Sequence, residues 1–119
     1  MRQLIIGLII ILLISLSLVT CLQPIGAEII MSTFNLWIAP ENGYFSYIGE
    51  VKNTGYSTAY KVVVRIEVFY KDGDLFNIKI ASTNPPDIEP NTHGKWRIDY
   101  KHDIQLIDFD KTRYEIFWE

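Results

Sequence analysis

The sequence is poor in the residues that build disulfides, metal centres and hydrolytic sites. Its 119 residues include one cysteine, Cys21, and two histidines, His93 and His102, which are not spaced as a pair of metal ligands. A single cysteine excludes an intramolecular disulfide. There is no G-x-S-x-G nucleophile motif and no phosphate-binding glycine-rich loop. We therefore predict a protein that is not an enzyme and has no cofactor or metal, with both histidines in exposed loops.

Basic residues are also scarce near the start of the chain. No Lys or Arg occurs between Arg2 and Lys52, and residues 4–19 form an almost unbroken apolar run. A short basic start followed by such a run is typical of a secretory signal. The run is slightly shorter than the ~20 residues that cross a bilayer comfortably, although residues 20–22 extend it. The charge asymmetry predicts a cytoplasmic N-terminus and an extracytoplasmic remainder.

Three fates are compatible with residues 1–27, which we interpret as a signal peptide or membrane anchor. The first is cleavage after Ala27, favoured by the helix breaker Pro24 and by the small Gly26. The second is lipidation at Cys21, because residues 18–21 resemble a lipobox, although Thr20 departs from its pattern. The third is an uncleaved anchor. The protein is accordingly expected to be secreted or anchored to the outer face of the cytoplasmic membrane.

Residues 28–119 are expected to form one domain, long enough to bury a core without disulfides. The whole chain has a formal net charge of −3. A mildly acidic domain without a basic stripe argues against a nucleic-acid partner.

Alternation of apolar and polar residues dominates this domain and predicts strands with one buried face. The predicted strands cover residues 33–39, 44–53, 62–70, 75–81, 95–101 and 113–118. Their inward faces are Phe45, Tyr47 and Val51; Val62, Val64, Ile66, Val68 and Tyr70; Phe76, Ile78 and Ile80; Trp96, Ile98 and Tyr100; and Tyr114, Ile116 and Trp118. Residues 102–111 fit either a short strand or one helical turn.

Turn residues separate the predicted strands. Asp72-Gly73 predicts a two-residue hairpin, and the prolines in residues 83–92 predict a crossover loop. The number and spacing of the strands predict an all-β fold, a single antiparallel immunoglobulin-like sandwich of about seven strands.

The order of these motifs resembles FxLYD-type and related small immunoglobulin-like surface domains of bacteria and archaea. The resemblance covers residues 44–100 and includes G-x-V-x-N at 49–53, a strand ending in Tyr70 before an acidic-Gly turn, and I-E-P-N at 88–91 before the Trp96 strand. Ile88 and Asn91 replace the usual Leu and Gly. These families look like adhesive, spacer or accessory modules, so the resemblance implies a fold and no catalytic residue.

Two groups of residues are candidates for a site. Asp99, Asp103, Asp108 and Asp110 offer oxygen atoms to a cation, but the D-x-D-x-D-G loop of calcium sites is absent, and a solvated loop explains them. Exposed aromatic side chains can stack on sugars or anchor a protein partner. The candidate binding residues are Tyr44, Tyr56, Tyr60 and Phe117, against the alternative that they pack on the rim of the second sheet or on the N-terminal segment.

The features together predict an exported, non-enzymatic module for binding or spacing. Its partner is an unknown envelope protein or a glycan, and the N-terminal segment contacts the membrane if it is retained or lipidated. The alternative is a carbohydrate- or ion-binding accessory subunit of an envelope transport or cell-wall system.

Overall fold

The computed structural model describes residues 26–119, which form two antiparallel three-stranded sheets. The first sheet has the order β1-β2-β5 and the second β4-β3-β6. The strands are Ile29–Ala39 (β1), Tyr44–Asn53 (β2), Val63–Tyr70 (β3), Leu75–Ser82 (β4), His93–Lys101 (β5) and Ile107–Phe117 (β6). Short 3-10 turns occupy Pro40–Asn42 and Ile104–Leu106. The predicted all-β antiparallel architecture is confirmed at this level.

Alternation determines which face of each central strand is buried. In β3, Val64, Ile66 and Val68 are fully buried, and each such aliphatic side chain stabilises the fold by ~1.5–3 kcal/mol. In β5, Trp96, Ile98 and Tyr100 are buried while the residues between them are exposed. The predicted inward faces of β2 and β5 are confirmed, as is that of β3 except at its end, where Tyr70 is only half-buried.

Aromatic rings fill the space between the two sheets at one end of the core. The ring of Phe45 in β2 stacks on that of Tyr100 with centroids 4.8 Å apart, and it meets the edge of Phe109 in β6 at 5.2 Å. Phe76 of β4 lies 6.5 Å from Phe45. These contacts join strands of both sheets, so the sheets pack face to face around one core.

The predicted inward face of β4 is wrong beyond Phe76. The register moves from Val68↔Asn77 to Phe69↔Leu75, so Phe76 is an extra residue in a β-bulge. Ile78 and Ile80 consequently point outward and are 40% and 62% exposed.

Lys79 takes a place on the inner side of β4, at the edge of the sandwich. Its Nζ donates to the backbone oxygen of Asp99 at 2.8 Å and lies 4.8 Å from the centroid of the Tyr100 ring. The aliphatic stem of Lys79 can therefore cover the core edge while its charge stays in contact with water. Because an edge position on the inner side accepts a lysine, the alternation of apolar residues in β4 did not predict its buried face.

The last strand also differs from its predicted form. Residues 102–111 contain the 3-10 turn and the first part of β6, so the described residues have six strands where about seven were expected. Ile116 is buried as predicted, but Tyr114 is 46% exposed and Trp118 is half-buried. Tyr114 lies on an edge strand, where its ring stacks on Phe34 of β1 at 5.5 Å.

Two local predictions need smaller corrections. The β3–β4 hairpin has a three-residue loop, because Tyr70 N donates to Asp74 O at 2.8 Å and Gly73 takes a positive φ of 100°. Strand β1 begins at Ile29, four residues earlier than predicted, because its pairing with β2 continues across a bulge at Ser32. The loop predicted at residues 83–92 does lie between β4 and β5.

The N-terminal apolar run and Cys21 lie outside the described residues. Within residues 26–119, no helix is long and apolar enough to cross a membrane.

Tyr47 and Tyr100 offer a matched test of hydrogen bonding in the core. The Tyr47 hydroxyl hydrogen-bonds Thr112 Oγ1, whereas the buried Tyr100 hydroxyl has no partner within residues 26–119. Burial raises the pKa of both phenols, so both are neutral at pH 7. We expect Tyr47→Phe to lower the free energy of unfolding by ~1 kcal/mol and Tyr100→Phe to leave it unchanged or raise it by up to ~1 kcal/mol. Urea titrations at pH 7 measure both; equal losses would contradict the assignment.

Candidate functional site

A cleft of about 340 Å³ opens on the outer face of the first sheet, at the end farthest from Ile29. The β1–β2 hairpin builds it: Pro40 begins the turn and Gly43 closes it with a left-handed φ of 68°. The pairs Ala39↔Tyr44 and Trp37↔Ser46 then place the outward side chains of both strands beside each other. The cleft is lined by Trp37, Ala39, Asn42, Tyr44, Phe45, Ser46, Arg97 and Asp99.

The polar wall of this cleft is already organised by hydrogen bonds. Asp99 Oδ1 accepts from the Ser46 hydroxyl of the neighbouring strand and from Arg97 Nε at 2.8 Å. The Ser46 hydrogen bond, followed by the hydrogen bond and charge of Arg97, lowers the pKa of Asp99 below its ordinary value. Both bonds end on Oδ1, and no side chain within residues 26–119 donates to Oδ2. Asp99 therefore presents a charged acceptor of fixed direction.

The aromatic wall consists of two exposed rings. Trp37 is 61% exposed and Tyr44 is 45% exposed, and Lys101 Nζ lies 5.4 Å from the centroid of the Tyr44 ring. A large ring left in water beside oriented polar groups is a common feature of surfaces that bind partners. The cleft thus combines an apolar platform with hydrogen-bonding groups, which suits a ligand that has both kinds of surface.

The structure separates the four predicted binding residues. Tyr44 lies in the cleft, while Tyr56 and Tyr60 lie at the opposite end of the sandwich and are 61% and 53% exposed. Phe117, at the end of β6, is half-buried and pairs with Val63. These residues do not form one surface.

Sequence reasoning missed Trp37, although a signal for it exists. Phe34, Leu36 and Ile38 share the inner face of β1, and Trp37 is out of phase with them. Arg97 and Asp99 were predicted to face outward. Their meeting with Tyr44 depends on the β2–β5 register, which pairs Ser46 with Asp99.

The acidic residues near β6 do not assemble a cation site in this structure. Asp103 Oδ1 accepts from Gln105 N at 3.0 Å and caps the second 3-10 turn, and Asp108 Oδ1 accepts from Asp110 N at 3.1 Å within β6, so each carboxylate binds the backbone two residues further on. No group of three or more His, Cys, Asp or Glu side chains in residues 26–119 is placed to hold a metal ion.

The histidines are placed differently from each other. His93 is exposed, at the start of β5 rather than in a loop. His102 is half-buried, with its ring 4.6 Å from Phe76, so the prediction of an exposed loop histidine is wrong there. The reason is that Phe76, the bulge residue of β4, is directed toward this end of the core.

No protein-family model matches the chain, and no curated protein is significantly similar to it. The candidate function therefore depends on the two-sheet fold and on the chemistry of the cleft.

The lowered pKa of Asp99 predicts a small dependence of stability on acid pH. The pKa of Asp99 in the folded state lies below its unfolded value of about 3.9. The charged carboxylate therefore adds to the free energy of unfolding above pH ~4, and this addition is lost as the pH falls through the folded-state pKa. Because the side chain is 59% exposed, we expect only ~0.5 kcal/mol. Urea titrations of wild type and Asp99→Asn should differ at pH 6 and converge near pH 2.5. A difference that stays constant over this range would contradict the prediction.

Proposed function

We propose that this chain is an exported, non-enzymatic module that binds a partner at the cell surface through the cleft between Trp37 and Asp99. The observation that carries the proposal is the exposed indole beside a carboxylate that two neighbours already orient. The Asp99 side chain is preorganised, so less conformational entropy is lost when a ligand binds.

The immunoglobulin-like assignment and the resemblance to FxLYD-type surface domains belong to the same proposal. The β1–β2 hairpin lies within the first sheet and the β3–β4 hairpin within the second, and the remaining connections cross between the sheets. Crossing connections between two packed antiparallel sheets support an immunoglobulin-like arrangement.

The chemistry of the cleft favours binding over catalysis. A general acid or base works best with a pKa near the operating pH, and the pKa of Asp99 is displaced away from neutrality. The Ser46 hydroxyl donates to this carboxylate, and neither histidine lines the cleft. A carboxylate with a lowered pKa is a weak base, so it activates the Ser46 hydroxyl poorly as a nucleophile. Asp99 and Ser46 are therefore suited to holding a ligand in place.

The size of the cleft supports a carbohydrate as its ligand, which is the accessory-subunit alternative. A volume of about 340 Å³ is near the lower end of small-molecule sites and suits one or two sugar rings. The Trp37 ring offers a stacking face, and Asp99 and Arg97 offer an acceptor and donors for hydroxyl groups. A protein partner would have to bury ~800 Å² on this side, and therefore extend well beyond the cleft.

Replacing Trp37 tests the proposal. We expect Trp37→Ala to weaken binding of a glycan found on an array of envelope polysaccharide fragments by about tenfold or more, since buried aromatic anchors carry ~2 kcal/mol or more. The matched control is Tyr56→Ala, because Tyr56 is equally exposed, at 61%, but lies at the other end of the sandwich. Titration calorimetry measures both variants.

The outcomes separate the alternatives. If Trp37→Ala loses glycan binding and Tyr56→Ala keeps it, the cleft is supported as a sugar site. If no glycan binds but crosslinking to an envelope protein is lost in Trp37→Ala, the ligand is a protein. Equal binding by wild type and Trp37→Ala for every ligand found would overturn the cleft as the binding site.

A further inference from the structure

Backbone hydrogen bonds attach residues 26–28 to one end of the sandwich. Gly26 O accepts from Tyr56 N at 3.0 Å, and Glu28 O accepts from Thr54 N at 2.8 Å. Ala27, between them, is buried. Residues 26–28 are therefore part of the folded domain, and the preceding chain must leave from this end.

The sequence limits how far this end can lie from a membrane. The apolar run, extended by residues 20–22, ends four Cα–Cα steps before Gly26. Four residues of fully extended chain span at most about 14 Å. The polar layer on each side of a bilayer is roughly 5–8 Å thick. If the run stays in the membrane, the end that carries Gly26 lies in or just above the headgroups.

Two exposed tyrosines lie on this same end, in the segment between β2 and β3. Tyr56 is held by its bond to Gly26, and Tyr60 exchanges two backbone hydrogen bonds of 2.8 Å with Glu119. Their side chains are 61% and 53% exposed although their backbones are fixed. Tyrosine concentrates at the interface of membranes, where the ring meets apolar groups and the hydroxyl meets water.

The charges around these tyrosines do not favour an anionic surface. Lys61 is paired with Glu119 at 3.6 Å, and Lys61 N donates to the Asp87 carboxylate at 3.0 Å. We therefore expect contact with lipid at this end to come from the two rings and not to require anionic lipids.

We propose that the end of the sandwich carrying Tyr56 and Tyr60 rests on the outer headgroup layer of the membrane in which the N-terminal apolar segment stays embedded. This rests on the part of the proposed function that exports the chain. Strand β1 then runs away from the bilayer, and the eight residue-to-residue steps from Ile29 to Trp37 raise the cleft by ~26 Å. Tethering presents the cleft to partners outside the cell.

The proposal also chooses among the three fates of residues 1–27. Cleavage after Ala27 would remove the Gly26 acceptor and the buried Ala27 from the folded domain. Lipidation at Cys21 and a retained anchor both keep these contacts, but lipoprotein processing would remove the residues before Cys21, so only the retained anchor also keeps the apolar segment in the membrane. The contacts of Gly26 and Ala27 thus belong to a tethered protein.

The test uses the full chain with Cys21→Ser, reconstituted in phosphatidylcholine vesicles that contain a headgroup-attached quencher. A fluorophore is placed at Ser57→Cys, between the two tyrosines, or at Lys71→Cys, in the β3–β4 turn at the far end; both sites are exposed. We expect quenching at position 57 to exceed that at position 71 by about threefold or more, and Tyr56→Ser with Tyr60→Ser to reduce the excess.

Three results would contradict the proposal in whole or in part. Equal quenching at positions 57 and 71, in protein that floats with the vesicles, would reject the orientation and leave the binding function of the cleft intact. Protein that does not float with the vesicles would reject the tether itself, and with it the surface location in the proposed function. An excess at position 57 that survives the double tyrosine variant would reject the role of the two rings.

Discussion

Gly49→Ala is expected to lower the free energy of unfolding by ~3 kcal/mol, at the upper end of the cost of overpacking. A Cβ at this position would lie 2.1 Å from the backbone oxygen of Thr33 and 2.8 Å from Cζ2 of Trp96. Neither neighbour has room to retreat, because Gly49 is paired with β1 on one side and with Trp96 in β5 on the other. The glycine exists so that the Trp96 ring can cover the centre of the sheet.

Urea titrations of Gly49→Ala and a second glycine variant measure this effect. Gly73→Ala is the matched control, since Gly73 has no atom within 4 Å of a new Cβ but does have a φ of 100°. Its cost comes from the backbone conformation alone and should be ~1–2 kcal/mol. If Gly49→Ala lowers the free energy of unfolding by no more than Gly73→Ala, the close approach of Trp96 does not explain the glycine at position 49.

Asn53→Ala should destabilise the domain by ~3–5 kcal/mol, because the fully buried Asn53 side chain joins four separate backbone groups. Its Oδ1 accepts from Glu28 N at 3.2 Å and from Gly55 N at 2.9 Å. Its Nδ2 donates to Ser57 O and Ile88 O, both at 2.8 Å. Removing the amide leaves several of these groups buried without a partner.

Two further variants show whether the hydrogen bonds are responsible. Asn35→Ala, at an exposed position of β1, should change stability by less than ~0.5 kcal/mol. Asn53→Asp keeps the acceptor, loses both donated bonds and buries a charge, so it should be nearly as damaging at pH 7 as Asn53→Ala. A mild effect of both Asn53 variants would show that water replaces the amide.

The G-x-V-x-N motif of the family resemblance is explained in the structure mainly by packing. Gly49 and Val51 lie within β2, and Gly49 is required by Trp96. Asn53 ends the strand by binding chain segments 25 and 35 residues away. Contacts between residues so far apart cannot be predicted from the local sequence. The motif could therefore be recognised, but its structural role could not.

The second sheet shows where local patterns stop being sufficient. The alternation of Phe76, Ile78 and Ile80 is regular in sequence, but the bulge at Phe76 turns the two isoleucines outward. A one-residue shift in pairing reverses every side chain beyond it. The sequence of β4 alone does not indicate that Lys79, on its inner side, lies over the ring of Tyr100.

The sequence by itself determined the strands and the buried faces of β2, β3 and β5, because period-two alternation is a local consequence of strand geometry. It also carried the apolar run that motivates export and the exposure of Tyr44, Tyr56 and Tyr60. Only the tertiary structure decided which strands are neighbours. That pairing places Trp37 beside Asp99 and fixes Gly26 against Tyr56, because these contacts join distant parts of the chain through backbone register, which no local pattern records.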